Sequence, residues 1–62
     1  MRYEYDTRHF HVAPSETRAD MIRRSAQVIK RLRVDEGWSL AWAESNARDR
    51  FVVLRRERRG TP

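Results

Sequence analysis

EGWSLAWAESNARDRFVVL, residues 36–54, fits two regular backbones, and the choice between them sets the fold. Wound as a helix, Leu40, Ala43, Ala47, Phe51 and Leu54 fall within about 80° of one another, with Ser39 available as a cap. That winding sends Trp42 and Val53 to the far side, beside Asn46 and Asp49. Extended as a hairpin, Trp38, Leu40 and Trp42 alternate onto one face, and Ser39, Ala41 and Ala43 onto the other. ESNARD (44–49) then forms the polar loop, and RFVVL (50–54) has the aromatic and β-branched content of a strand. Two large apolar side chains stranded on a polar helix face cost more than an imperfect strand. The hairpin is therefore the expected form, with both indoles on one side of it.

The rest of the chain is read outward from that hairpin. RYEYDTRHFHV (2–12) is rich in aromatic and β-branched residues and free of Gly and Pro, so it predicts a strand. Its alternation is imperfect, since Tyr3 and Tyr5 share one face while Phe10 and Val12 share the other. A bulge near Thr7–His9 would reconcile the two pairs. APS (13–15) breaks the strand. Helical periodicity follows from about Glu16 to Arg33: Ile22, Ala26 and Ile29 make one stripe, widened by Met21, Ser25, Val28 and Leu32. Arg23, Arg24, Gln27, Lys30 and Arg31 project from the opposite side. Ser15 and the Thr17/Asp20 box compete to cap the start, and Gly37 supplies the left-handed residue that closes the end.

The predicted class is α+β, with the order β-α-β-β. One helix packs on a three-stranded antiparallel sheet, all its pairings antiparallel if the last strand lies between the other two. The alternative, from the helical reading of 36–54, is a β-α-α ribbon-helix-helix. The expected organisation is a single small domain over 1–59 with a disordered tail at 60–62. In this order of elements the chain resembles a bacterial and phage family of short domains of unknown function. The matching pieces are YEY at 3–5, EGWSL at 36–40 and FVVLRRE at 51–57. The hairpin loop departs from that family in lacking glycine. The resemblance implies the β-α-β-β fold and carries over no active site.

Length and composition narrow the function. A chain of 62 residues buries only about 60% of the surface it exposes when unfolded, so a partner chain is a natural supplement. There is no cysteine, which excludes disulfides and thiolate metal sites. No apolar run approaches the roughly 18 residues that span a bilayer, and the N-terminal segment lacks a secretory core. A cytoplasmic protein without membrane contact is expected. Thirteen arginines and one lysine against nine acidic residues give a net charge of +5, which suits an acidic protein surface or nucleic acid.

Few constellations could carry chemistry. His9 and His11 share a strand face and make half a metal site. Asp6 is the nearest carboxylate in sequence, and without a further ligand set no metal or other cofactor is expected. Ser15, Ser25, Ser39 and Ser45 lack a nucleophile's context, and Glu36 and Glu44 are not paired, so no enzymatic activity and no small-molecule substrate is expected. The aromatics could stack single-stranded bases, but a core this short of large aliphatics requires most of them.

Two basic groups are the candidate contacts to a macromolecule: Arg23, Arg24, Lys30 and Arg31 on the helix, and Arg55, Arg56, Arg58 and Arg59 at the end of the chain. The competing reading of these is a solvated face and a frayed tail. The sheet face away from the helix receives Ala41, Ala43 and one pair from the last strand, Phe51/Val53 or Val52/Leu54. Ala41, Ala43, Phe51 and Val53 are the candidate self-association surface. The resulting expectation is a small non-enzymatic binding protein, a homodimer through its sheet, that regulates or inhibits a larger macromolecule and is phage or mobile-element encoded. The alternative is a dimeric ribbon-helix-helix DNA regulator reading bases with Arg8, His9 and His11.

Overall fold

The computed structural model describes residues 2–58. Arg59 and the tail at 60–62 lie outside the described residues. The elements are β1 (Arg2–His11), α1 (Arg18–Glu36), β2 (Ser39–Ser45) and β3 (Asp49–Arg58). The sheet order is β1-β3-β2, and both pairings are antiparallel. The last strand is central, which the all-antiparallel expectation requires. Residues 39–58 form a hairpin with Trp42 inside a strand, which removes the continuous helix over 36–54 and with it the ribbon-helix-helix architecture.

α1 starts at a complete capping box. The Thr17 side chain accepts from the Asp20 N–H, and the Asp20 carboxylate accepts from the Thr17 N–H, so Thr17 and not Ser15 is the cap. The helix runs one turn beyond Arg33 and ends where Gly37 takes φ 74°, donating back to the Arg33 carbonyl. A side chain at Gly37 would meet only ordinary contact with Arg56, so the conformation and not space selects glycine. The buried helix residues are Met21, Ser25 and Leu32, with Ile22, Val28 and Ile29 at the margin and Ala26 exposed. The buried stripe therefore centres on Met21 and not on Ile22. Ser25 tolerates complete burial because its hydroxyl donates 2.7 Å to the Ile22 carbonyl.

Two sequence expectations about the strands need correction. β1 carries no bulge: its register with β3 runs unbroken from Arg2↔Arg58 to His11↔Asp49. The conflicting parity of Tyr3/Tyr5 and Phe10 is real, with Phe10 in the core and the tyrosines on the opposite, exposed face. The bulge lies in β2 instead, where Leu40 pairs with Leu54 but Trp42 pairs with Val53, leaving Ala41 as the extra residue.

That one residue separates the indoles. Trp38 joins Phe10, Met21, Leu32, Val52 and Leu54 in the core at 8% exposure, whereas Trp42, opposite Val53, is 50% exposed on the other face. Ala43, opposite the buried Val52, moves to the helix side.

The β2–β3 loop manages without glycine. The Asn46 side-chain oxygen accepts from the N–H groups of Arg48 (2.9 Å) and Asp49 (2.8 Å), and the Asn46 N–H donates to the Asp49 carbonyl. This side-chain turn closes the hairpin while no described non-glycine residue takes positive φ. Arg18 ties the loop to the helix start by donating to the Asn46 carbonyl and the Ser45 hydroxyl.

Candidate functional site

The helix covers one face of the sheet, and the Cα envelope is only 12 Å in its thinnest dimension, about the thickness of two packed layers. The second sheet face is therefore open. Because cross-strand partners share a face, the β1–β3 and β2–β3 registers define its members. Tyr3, Tyr5, Thr7, His9 and His11 come from β1. Asp49, Phe51, Val53, Arg55 and Glu57 come from β3, and Ser39, Trp42 and Glu44 from β2. Tyr3, Tyr5, Trp42 and Phe51 are all exposed there. Phe51 and Val53 fall on this face, while Ala43, opposite Val52, is on the other and Ala41 is the unpaired bulge residue; Trp42 and the tyrosines fill the rest of the surface.

The face is ordered as well as apolar. The His9 ring stacks on Phe51 with centroids 4.5 Å apart and planes 6° from parallel. The Arg55 guanidinium lies 4.9 Å from the Tyr3 ring centroid. Among the described residues, the formal charges on the face are Arg55 against Glu44, Asp49 and Glu57, with His9 and His11 beside Asp49, so the aromatic surface is not set among cations.

At one end of this face His9, His11 and Asp49 come together. One Asp49 oxygen, Oδ1, lies 2.8 Å from His9 Nε2 and 2.7 Å from His11 Nδ1. An ionised carboxylate only accepts, so both rings donate to it. Those hydrogen bonds, His11's first and His9's second, hold the Asp49 carboxyl below the usual carboxylate range, against a smaller opposing effect of desolvation.

The sequence reading missed Asp49 and considered Asp6, whose carboxylate instead takes Arg8 Nε at 2.9 Å. The available signal was topological: in an antiparallel β1–β3 pair the end of β1 faces the start of β3, which brings residue 11 to residue 49.

The seven described candidate macromolecule contacts do not form one patch. Arg24 is committed to the fold, with Nη2 and Nε on the Glu16 carboxylate and Nη2 also on the His11 carbonyl at 2.8 Å. This pairing lowers the Glu16 pKa and raises that of Arg24. Arg56 is also committed: it donates to Glu4 at 2.5 Å and to the Glu36 carbonyl at 2.9 Å, and its guanidinium sits 4.3 Å over Trp38. Arg55 belongs to the open face. Arg23 makes a surface ion pair with Asp20 at 3.3 Å, and Lys30, Arg31 and Arg58 are exposed. Arg23, Lys30 and Arg31 remain together on the outer helix face.

No protein family, no curated protein and no solved structure matches this chain. No described helix is long and apolar enough to cross a membrane.

Proposed function

We propose that this chain is a small cytoplasmic binding protein that works as a homodimer joined through the open sheet face and regulates a larger macromolecule. The observation that carries the reading is the exposed apolar surface made by Tyr3, Tyr5, Trp42 and Phe51 around a half-buried Val53. Aromatics grouped on an uncovered face mark an association surface, and a core of six buried apolar side chains gains from the additional burial. The charge balance favours a second copy over nucleic acid at this face: base-stacking platforms are set among cations that follow the phosphates, whereas among the described residues here one arginine faces three carboxylates. Arg23, Lys30 and Arg31, on the opposite side of the molecule, are left to engage an acidic surface of the target. The β-α-β-β order agrees with the resemblance to short bacterial and phage domains, and an inhibitor of host machinery encoded by a phage or mobile element is the form of regulation this supports.

Light scattering coupled to gel filtration tests the association. The wild-type chain should run as a dimer at tens of micromolar, and Trp42→Glu should run as a folded monomer. A wild-type monomer under those conditions removes the proposal. Retention on random duplex DNA at low salt, abolished by Arg31→Glu but not by Trp42→Glu, would assign the helix cations to nucleic acid instead of an acidic protein.

A further inference from the structure

We infer that His9, His11 and Asp49 form a binding site for a late first-row divalent metal ion, with Zn2+ the ion of best fit. The donors are His9 Nε2, His11 Nδ1 and an Asp49 carboxylate oxygen, all within 4.8 Å of one another. Two imidazoles and one carboxylate suit Zn2+, Ni2+ or Cu2+ and disfavour Mg2+ and Ca2+, which prefer oxygen donors throughout.

The spacing is compatible with one ion. Ligands about 2.1 Å from a tetrahedral metal are about 3.4 Å from each other. The 2.7 and 2.8 Å contacts to Asp49 would thus open by roughly 0.6 Å, and the widest donor pair, up to 4.8 Å apart, would close by as much as about 1.4 Å, which rotation of the two exposed imidazoles supplies. The ion takes the place of the two hydrogen bonds. Each ring then presents a lone pair at the nitrogen that had carried the proton, which for a neutral imidazole is a change of tautomer.

Three features hold the donors in place before an ion arrives. Both histidines and Asp49 stand on the regular β1–β3 ladder, where His11 and Asp49 are direct partners. The His9 ring is held flat against Phe51. The Asp49 N–H is held by the Asn46 side chain, and the His11 carbonyl by Arg24. Both histidines are exposed, so the remaining coordination positions open to water. All three donors belong to one chain and stand at one end of the open face, so a second copy is not needed to complete the site.

The test is a Zn2+ titration of chelator-stripped full-length protein in competition with a chromophoric chelator. The outcome expected is one saturable equivalent per chain with low-micromolar affinity, weakened by about 10-fold or more in both His11→Ala and Asp49→Asn. Far-UV circular dichroism establishes that both variants fold. A second measurement needs no variant: Zn2+ should shift the ring signals of His9, His11 and Phe51 in the NMR spectrum and leave those of Tyr5 and Trp38 in place. The Trp42→Glu chain should also take up one equivalent per chain, so that failure of the dimer and failure of the metal site are read separately. Absence of saturable uptake, affinity retained in either ligand variant, or ring shifts away from the three residues would overturn the assignment.

Discussion

β3 has a different neighbour along each edge, and the two pairings contrast sharply. Against β1 the register is continuous, its side chains alternate without fault, and Phe10 reaches the core from one face while Tyr3 and Tyr5 stand on the other. Against β2 the register slips at Ala41, and every residue of β2 is exposed. The difference teaches where the stability of so small a domain resides. The helix, β1 and β3 enclose the core, with Trp38 sealing it just before β2 begins. β2 contributes backbone pairing and surface.

The largest test of that contrast uses the two tryptophans. Trp38→Ala should cost about 4 kcal/mol in urea unfolding followed by circular dichroism, as expected for removal of a buried aromatic. Trp42→Ala should cost no more than about 1 kcal/mol, measured in dilute protein so that association does not contribute. Comparable losses would mean that β2 belongs to the core after all. The next test sets two paired leucines against each other. Leu54→Ala, at a fully buried position, should cost about 3 kcal/mol, and Leu40→Ala, its exposed partner across the ladder, less than about 1 kcal/mol.

A smaller effect should follow deletion of Ala41. The bulge residue is surplus to the pairing, so its removal leaves Leu40 opposite Leu54 and Trp42 opposite Val53 in a regular ladder. Stability should change by less than about 1 kcal/mol, and Trp42 should stay open to acrylamide quenching. A protected Trp42 in the deletion variant would show that the bulge does not set its face.

The smallest effect concerns acid. Glu16 is held below the usual carboxylate range, first by the Arg24 hydrogen bond and then by the Ala13 N–H. Asp20 is lowered by the Thr17 hydroxyl and then by the Thr17 N–H. A carboxyl whose pKa is lower in the folded chain stabilises it at pH above the unfolded value, and that stabilisation is lost as the pH falls through the folded value. The melting temperature should therefore decline as pH drops through and below the ordinary carboxylate range. Glu16→Gln should flatten part of that decline, whereas an unchanged slope would show that the pair contributes nothing to folding.

Much of this architecture was legible in residue order. The helical stripe, the glycine that ends it, the strand character of 2–12 and the hairpin at 36–54 are local patterns, and local patterns follow from periods of 3.6 and 2. The bulky residues were the right guide to the hairpin, because two large side chains on a polar helix face are costly whatever the tertiary context. The same reasoning failed at the next level. Strict alternation placed Trp38 and Trp42 together, and Ala43 on the association surface. A bulge has no periodic signature of its own, and it is adopted only when the neighbouring strand needs a residue passed over.

The site residues divide the same way. His9 and His11 could be seen as a pair because they are close in sequence. Asp49 became their partner only through a ladder joining the two ends of the chain. Arg24 and Arg56 read as free surface cations because charge alone says nothing of distance, and the fold turned both into internal ties to Glu16, Glu4 and backbone carbonyls. Residue order thus determined which segments are helix and strand, since backbone conformation and short-range burial are decided within a few neighbours, while the central place of β3 is a tertiary outcome. Only the tertiary structure decided which face each indole occupies, which arginines remain available and which carboxylate meets the histidines. Register is a property of two strands together, and neither strand carries it alone.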